Sequence, residues 1–454
     1  MAIVLLASSL PLGSSFTLSW KTRPFFDKAT WNFETGNHKF MRDDQRRTPL
    51  FYAAIRSRLQ RAEGELTLLD LGTGPFALLA LEAARCGAKK VYAIEADPLS
   101  AAKAREAVSA AGFADVVEII EGISTKVTLP EKVDVLISET VGSIASEEGL
   151  FATMADAHAR FVARPTEQDS WIPHRCQTLG APCSYAMHHG LGHPSFHFMS
   201  WKPAVDGPPR PECDDETLWL LASPRVLEDV RLTDPAALLS AGTHQLTPSP
   251  VEFTVEAARL ATAEAELSTG LAAEGALAAD AKAFARIAAR SLSGVAMWPR
   301  LELDAEVVVD ARGPGGEHAE SSWPLLLPLL GDRPVAIAPT AAVTVSLGVE
   351  LSDTVEVPPC YSLDAVVTPP PDGEDAAPLA PPSFELLHRL SAPLRRFRIR
   401  SELARVDAAS EAAETSEERA ALRRRAWWRH RGKKRRPPVI RRIVAPGARD
   451  SESD

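Results

Sequence analysis

The stretch from residue 68 to residue 74 constrains the fold of this chain more than any other. It reads Leu-Leu-Asp-Leu-Gly-Thr-Gly, an apolar run that ends in the two glycines Gly72 and Gly74, and a helical pattern follows over residues 76–84. A buried strand that delivers a glycine turn to a helix N-terminus is typical of nucleotide-binding α/β sheets, because only glycine lets the backbone come so close to a ligand. The stretch therefore predicts a doubly wound parallel sheet with a nucleoside site.

The type of nucleoside follows from residues near this turn. A second apolar strand, residues 90–95, ends at Glu95, about 20 residues past the glycines, where a carboxylate can accept hydrogen bonds from both ribose hydroxyls. Phe76 stands where many dinucleotide-binding turns have a third glycine, and the sequence has no lysine-bearing phosphate loop. The pattern favours a ligand with a ribose and no phosphate, such as S-adenosylmethionine, over NAD or ATP.

Two acids mark the candidate reaction site. The apolar strand 133–137 runs into a loop of small residues that is bracketed by Glu139 and Glu148. Open parallel sheets keep their active sites at the carboxyl ends of strands, and two carboxylates facing one slot suit a planar cation. Glu147, next to Glu148, is a rival for the second position.

These motifs resemble the protein arginine methyltransferase family. The resemblance rests on the glycine turn, Glu95, the strand 116–120 and the two acids nine residues apart, and it continues upstream in residues 38–48, which carry the family's order of His, Met, Asp and Arg-Thr. It implies transfer of a methyl group from S-adenosylmethionine to a guanidino nitrogen of arginine in protein substrates.

The resemblance also assigns residue roles. It makes Glu139 and Glu148 catalytic, pairs Arg47 with the methionine carboxylate and places Met41 near the sulfonium. Substrate-side positions are Asp44, Ser322 and Trp323; the family has histidine where Ser322 stands, so an ionic pair with Asp44 is not expected. The predicted cofactor-binding residues are Met41, Arg47, Asp70, Gly72, Gly74, Glu95, Ala96, Ser124 and Glu139.

Element patterns predict an α/β Rossmann-like S-adenosylmethionine-binding domain followed by a mainly β domain, either a sandwich or a barrel, and the resemblance implies that the second domain is barrel-like. Strand and helix patterns alternate over residues 65–165, and short β runs separated by Pro and Gly follow beyond residue 171. Helical patterns are also present at residues 272–289 and 404–425. The predicted boundaries are an N-terminal extension 1–30, the cofactor domain 31–170 with N-terminal lid helices, the β-barrel substrate domain 171–365, and a Pro-rich linker with a basic tail 366–454.

Length, composition and charge limit the number of domains, the cellular compartment and the classes of partner. At 454 residues and 45% apolar content the chain can form two or three domains, and its five scattered Cys favour a reducing compartment, cytoplasmic or nuclear. Residues 423–442 contain eleven Arg or Lys and no acid, so the rest is more acidic than the total charge of −10. The basic tail suits contact with nucleic acid or a solvated tail, while the acidic remainder suits basic protein substrates.

Other features bear on targeting, metals and partners. The apolar residues 1–12 lack the basic residues of a signal peptide and are too short to cross a bilayer, so we expect no membrane association, although a targeting peptide stays open. Glycine and proline separate four nearby histidines, which favours a polar loop over a metal site: His188, His189, His193 and His197. By resemblance, partners are arginine-containing proteins, with histones and RNA-binding proteins as candidates, and a second copy of the chain, since family members dimerise through an arm that falls here within residues 185–240.

Two alternatives stay open from the sequence. One is a non-catalytic scaffold that binds S-adenosylmethionine, with Phe76, Thr125 and Ser322 interpreted as decay. The other is a methyltransferase that acts on RNA or a small molecule, with the basic tail holding the nucleic acid. The product type, whether monomethyl, symmetric or asymmetric dimethyl arginine, depends on pocket volume and is not predicted.

Overall fold

The computed structural model of the chain describes residues 16–22, 35–62, 65–196, 217–234, 245–246, 249–313, 321–323, 325–350, 359–370 and 379–412. The chain divides into two compact units, Met1–Arg398 and Ile399–Asp454. The second unit is described only where one helix runs into it, so the features below belong to the first. The apolar residues 1–12 and the basic residues 423–442 lie outside the described residues.

The described chain begins with strand β1 (Phe16–Thr22), helix α1 (Thr35–Arg42) and helix α2 (Thr48–Gln60). Pro49 occupies the first turn of α2, where its missing N–H costs nothing and its fixed φ suits the helix. The side chain of Thr48 donates a hydrogen bond to the carbonyl of Met41, which ties the start of α2 to the end of α1.

A five-stranded parallel sheet with three helices follows. Its elements are β2 (Thr67–Leu71), α3 (Leu78–Arg85), β3 (Lys90–Glu95), α4 (Pro98–Ala110), β4 (Val117–Glu121), β5 (Val135–Ser138), α5 (Leu150–Arg160) and β6 (Trp171–Ile172). The strand order is β4-β3-β2-β5-β6, so the order reverses at β2, between β3 and β5. Ligands of such sheets bind at the carboxyl ends of the strands beside this reversal.

The strands beyond β6 form antiparallel sheets. They are β7 (Arg175–Tyr185), β8 (Leu218–Leu220), β9 (Arg225–Arg231), β10 (Gln245–Leu246), β11 (Val251–Thr254), β12 (Ser291–Leu292), β13 (Gly294–Glu302), β14 (Val308–Asp310), β15 (Val335–Ala336), β16 (Ala342–Glu350) and β17 (Cys360–Thr368). One sheet has the order β14-β13-β7-β8 with β9 also beside β7, a second has β1-β17-β16-β10 with β11 beside β16, and β12 pairs with β15. Strand β9 contacts both β11 and β16 and so joins the two larger sheets. The predicted fold class, an α/β domain followed by a mainly β, barrel-like domain, is confirmed.

One strand of this region comes from a part of the chain that we assigned to an N-terminal extension. Strand β1 pairs antiparallel with β17 over its whole length, from Phe16 opposite Val367 to Thr22 opposite Tyr361. The extension predicted for residues 1–30 therefore contributes an edge strand to the antiparallel region. Its partner is so far away in sequence that no local pattern could have revealed the pairing.

The helices of the second half also differ from the predicted patterns. In place of one helix over residues 272–289 there are two, α6 (Ala257–Ala273) and α7 (Ala278–Ala289), separated at Gly275, which has a φ of +85°. Helix α8 (Phe384–Ala412) begins about 20 residues before the predicted start at residue 404 and includes Pro393. Of the predicted dimerisation arm, residues 185–240, the structure describes residues 185–196 and 217–234, and the arm stays a prediction.

Candidate active site

The glycine turn after β2 is held in a conformation that favours glycine. Gly72 and Gly74 have φ values of +81° and +66°. A Cβ added to Gly72 would lie 3.2 Å from the side chain of Thr140, and one added to Gly74 would lie 3.3 Å from the ring of His38. Both positions therefore need glycine for backbone conformation, and their small size leaves the turn open toward the end of β5.

The Asp70 carboxylate stabilises this turn by accepting hydrogen bonds from its buried side. Its Oδ2 accepts hydrogen bonds from the Thr73 hydroxyl at 2.6 Å and from the Ala80 amide at 3.0 Å. Burial raises the pKa of Asp70 to about 6, and these two donors oppose the rise. Ala77, just before α3, has a φ of +45° and makes no side-chain cap, so Asp70 caps the helix from a distance. Phe76 stands where many such turns have a third glycine, but the residue here with a left-handed backbone conformation is its neighbour Ala77.

Glu95 at the end of β3 reaches back to the same turn. Its Oε2 accepts a hydrogen bond from the Gly74 amide at 2.8 Å, and its Oε1 accepts one from the Asp97 amide at 2.9 Å. Burial raises its pKa above the usual range. Each carboxylate oxygen has two lone pairs, so both can still accept a hydroxyl from the cavity side.

The double-glutamate loop, residues 139–148, carries an ion pair at its start. The Arg47 guanidinium donates to Glu139 Oε2, and both side chains are buried. Burial raises the pKa of Glu139, and the charge of Arg47 opposes that rise. Arg47 also donates to the carbonyl of Met41 at 3.2 Å and lies 5.8 Å from the centre of the Trp323 ring. The arginine predicted to hold the cofactor thus contacts one of the two predicted catalytic acids.

Glu148, at the other end of the loop, is an acid with a strongly raised pKa. Burial, with the charges of Glu139 and then Glu147, raises its pKa to about 8. The side chain is partly exposed, but it lines a cavity, so this surface does not face open solvent. At neutral pH the free protein therefore holds Glu148 mainly as the neutral acid.

One cavity brings these groups together. All nine predicted cofactor residues line it, and so do both predicted catalytic acids. The side chains of Glu139 and Glu148 thus share one space with the glycine turn and Glu95. Other lining residues had no signal in the sequence, among them Pro75 and Thr153; Glu147 also lines the cavity and is the rival acid named above.

The predicted substrate-side residues lie beside this cavity and not in its lining. The buried carboxylate of Asp44 accepts hydrogen bonds from the Ser322 amide and, at 3.2 Å, from the Ser321 hydroxyl. The indole N–H of Trp323 donates to the carbonyl of Val141, in the double-glutamate loop, at 2.7 Å. Neutral donors therefore make the contact to Asp44 that the family makes with histidine, and Trp323 joins this segment to the loop.

The histidines predicted to form a polar loop are largely buried. His188 and His189 lie in a 3-10 turn, and burial lowers the pKa of His188 to about 4 and that of His189 to about 3. His193 accepts a hydrogen bond from the Ser195 amide, while His197 lies outside the described residues. The prediction of a polar loop is wrong for these two residues, because the His188 side chain is buried and contacts the Gly331 carbonyl, and the His189 ring packs edge-on against Phe284 of α7.

No group of three or more His, Cys, Asp or Glu side chains in the described part of the chain could hold a metal ion. Within the same residues, no helix is long and apolar enough to cross a membrane.

Known proteins with similar sequences are methyltransferases. A family model described as ribosomal protein L11 methyltransferase (PrmA) matches residues 33–147. Protein arginine N-methyltransferase PRMT10 of Arabidopsis thaliana is 39% identical over 130 residues, which are 29% of this chain and 33% of that protein. PRMT10 of Oryza sativa subsp. japonica is 37% identical over 141 residues, 30% of this chain and 36% of that protein.

A solved structure extends the likeness to the fold. The crystal structure of Arabidopsis thaliana protein arginine methyltransferase 10 covers 72% of this chain and 91% of its own, with a TM-score of 0.50 and 19% identity. The chain spans only about a third of the length of these curated relatives. Over the matched residues its resemblance to the protein arginine N-methyltransferases is confirmed.

Proposed function

We propose that this protein transfers a methyl group from S-adenosylmethionine to a guanidino nitrogen of arginine in protein substrates. One observation carries the proposal: Glu139 and Glu148 line the same cavity as Gly72 and Glu95. A ribose-binding turn alone would serve many chemistries, since fold does not determine function. Two acids that line the cavity beside that turn narrow the substrate to a cation.

The residues present fit S-adenosylmethionine. Glu95 offers acceptors for ribose hydroxyls, and the small Gly72 and Gly74 leave backbone accessible to the ligand. The Nε atom of Arg47 is buried without a hydrogen-bond partner, so the guanidinium has a donor left for a carboxylate. When bound, the cofactor supplies a methyl group on a sulfonium.

The acids explain how a weak nucleophile could react. A guanidinium is stabilised by resonance, and Glu139 and Glu148 would hold it flat by accepting hydrogen bonds from nitrogens that do not react. This draws positive charge toward those nitrogens and leaves electron density on the third. As its N–C bond forms, the bond between the methyl carbon and the sulfonium sulfur would break, and the sulfur would leave as a neutral thioether. The attacking nitrogen would become more acidic and pass its proton to a nearby carboxylate or water.

Before methyl transfer, the protonation state of Glu148 and the ion pair of Glu139 would have to change. Glu148, whose pKa is about 8 in the free protein, would lose its proton when the guanidinium enters, because an adjacent cation favours the carboxylate. Glu139 is paired with Arg47. A ligand carboxylate that takes up part of the Arg47 guanidinium would leave Glu139 with more capacity for the substrate.

The acidic character of the site and of the chain outside residues 423–442 suits basic, arginine-containing proteins as substrates. Another relative, probable histone-arginine methyltransferase 1.3 of Arabidopsis thaliana, is 34% identical over 122 residues, 27% of this chain and 22% of that protein. Histones are therefore the first substrates to try, followed by RNA-binding proteins. A homodimer, a cytoplasmic or nuclear location and contact of the basic tail with nucleic acid stay predictions.

The test is methyl transfer from labelled S-adenosylmethionine to a peptide containing one arginine, compared with the same peptide containing lysine. We expect transfer to arginine alone, and a fall in kcat of about 10² or more in Glu139→Gln and Glu148→Gln, since each acid stabilises charge in the transition state. The exposed Glu306→Gln is the matched control and should behave as wild type.

Other outcomes would contradict the proposal or favour one of the two alternative functions. Undiminished transfer by Glu139→Gln would contradict the proposal. Binding of S-adenosylmethionine in calorimetry without transfer to any arginine peptide would indicate a non-catalytic scaffold. Transfer to RNA or a small molecule that is unaffected by Glu148→Gln would indicate a different class of methyltransferase.

A further inference from the structure

Glu228 is a buried acid that does not line the cavity. It lies on β9, opposite Thr178 of β7, at the point where the pairing of these two strands shifts register. Such irregularities re-aim a side chain and are common beside active sites. The side chain of Glu228 is only 6% exposed, and it faces the middle of the double-glutamate loop.

Two hydrogen-bonded relays connect this carboxylate to the loop. The Ser146 hydroxyl donates to Glu228 Oε1 at 2.5 Å and lies 2.8 Å from the hydroxyl of Tyr361 on β17. A serine hydroxyl has one proton, so Ser146 accepts from Tyr361. The Thr178 hydroxyl donates to Glu228 Oε2 at 2.6 Å and accepts from the Ala145 amide at 2.8 Å.

Burying a carboxylate at this position costs stability compared with an apolar side chain. Burial raises the pKa of Glu228, and the hydroxyls of Ser146 and Thr178 oppose that rise. Apolar residues of the same volume often give equal or better stability than buried charged groups. The carboxylate instead fixes the position of the loop. It holds Ala145 and Ser146, the third and second residues before Glu148, against strands of both large antiparallel sheets.

We propose that Glu228 is a positioning residue for the reaction, which acts through Ser146 and Thr178 to hold Glu139 and Glu148 on the guanidinium. The proposal rests on the proposed function for its effect on rate. The tether itself is a property of the free protein. Loosening it displaces the two acids without touching the glycine turn or Glu95.

The first experiment measures rate and cofactor affinity in Glu228→Ala, Glu228→Gln and Ser146→Ala. Because displacing a reacting group by about 1 Å can cost about 10²-fold, we expect Glu228→Ala to lower kcat for an arginine peptide by about that factor. The Kd for S-adenosylmethionine should change far less, by about 2-fold, since Glu139 is the one predicted cofactor residue that lies on the displaced loop. Glu228→Gln, which keeps an acceptor oxygen, should recover part of the rate.

The matched control is Asp229→Asn. Asp229 is the next residue of the same strand, and its side chain pairs with Arg175 instead of the loop. All variants are assayed at a temperature at which circular dichroism shows them fully folded, so that a loss of stability alone leaves kcat unchanged. Equal kcat in wild type, Glu228→Gln, Ser146→Ala and Asp229→Asn would overturn the proposal, even if Glu228→Ala fails to fold.

The second experiment separates this proposal from the proposed function. Hydrogen exchange of the peptide spanning residues 139–148 should be faster in Glu228→Gln and Ser146→Ala than in wild type and Asp229→Asn, because the loop has lost a relay. If wild type methylates no arginine peptide, the proposed function fails while faster exchange still supports the tether. Unchanged exchange in both variants would overturn the tether whatever the activity.

Discussion

At the scale of single residues, the site depends on what burial does to acids. Glu148 has an ordinary pKa of 4.5 that rises to about 8 because the carboxylate is desolvated and two other acids lie close. Glu139, in the same cavity, has a cation beside it. Two glutamates of one loop thus differ in the free protein: one is half of an ion pair, and the other is mainly a neutral acid, which the substrate cation of the proposed reaction would ionise.

The raised pKa of Glu148 predicts how stability depends on pH. Between pH 4.5 and about 8 the folded state binds this proton more tightly than the unfolded state does, so stability falls as pH rises through this range and the loss is complete above it. Glu148→Gln carries no charge and escapes the loss. Urea unfolding should show nearly equal stability of variant and wild type at pH 5, and an advantage of roughly 1–3 kcal/mol for the variant at pH 9, after allowance for the partial exposure of Glu148.

The control for this series is Glu306→Gln, at an exposed position. Its stability relative to wild type should not change with pH. A gap for Glu148→Gln that is constant from pH 5 to pH 9 would contradict the raised pKa.

At the scale of elements, the glycine turn works because a side chain outside α3 caps that helix. Ala77 provides no cap, and the Ala80 amide is satisfied by Asp70, on the strand before the turn. The same carboxylate oxygen accepts from Thr73 inside the turn. One acid therefore fixes the strand, the turn and the first turn of the helix relative to one another, and with them the surface offered to the cofactor.

Asp70→Ala should therefore weaken folding and cofactor binding together. Leaving the Ala80 amide without an acceptor in the core costs about 1–3 kcal/mol in the free energy of unfolding. Asp70→Asn should cost less, because its amide oxygen can take over the acceptor role. Thermal unfolding and calorimetry with S-adenosylmethionine measure the two effects, with the exposed Asp115→Ala as control; normal cofactor affinity in Asp70→Ala would show that the turn does not depend on this acid.

At the scale of the whole unit, helix α8 packs on the helical pair inserted between β11 and β12. Leu390 and Leu394 of α8 are buried in the core, and the Arg389 guanidinium makes two hydrogen bonds, at 2.7 and 2.9 Å, to Asp280 of α7. A Cβ added to Gly270 of α6 would lie only 2.2 Å from the ring of Phe397, which shows how closely the two helices approach. The residues up to Arg398 thus share the core of the first unit.

Leu394→Ala should destabilise the protein without affecting the site. Truncating a fully buried leucine costs about 2–5 kcal/mol, depending on how far the cavity collapses. Leu277→Ala is the control, since Leu277 is 69% exposed at the start of α7 and its truncation should change stability by no more than about 0.5 kcal/mol. Denaturant unfolding measures both; equal stability of the two variants would show that α8 is not packed as described.

Several parts of the site were predictable because they follow local rules. Glycine is needed where φ is positive, as at Gly72 and Gly74, and an acid at the end of the next strand faces the same crevice, as Glu95 does. The observed bounds of β3, residues 90–95, are also those predicted, because the strand follows a local apolar run. Alternation of short apolar strands and helices also predicted the parallel sheet and the edge at which a ligand would bind, without any knowledge of long-range contacts.

Only the tertiary structure decided which distant segments meet. The pairing of β1 with β17, the contact of Arg47 with Glu139 and the relay from Glu228 to Ser146 each join parts of the chain with no shared local pattern. Charge and burial at such meeting points depend on the whole packing, so the pKa of Glu148 could not be inferred from its neighbours in sequence. Local rules thus determined the elements and the ligand edge, while packing determined the electrostatics of the two acids.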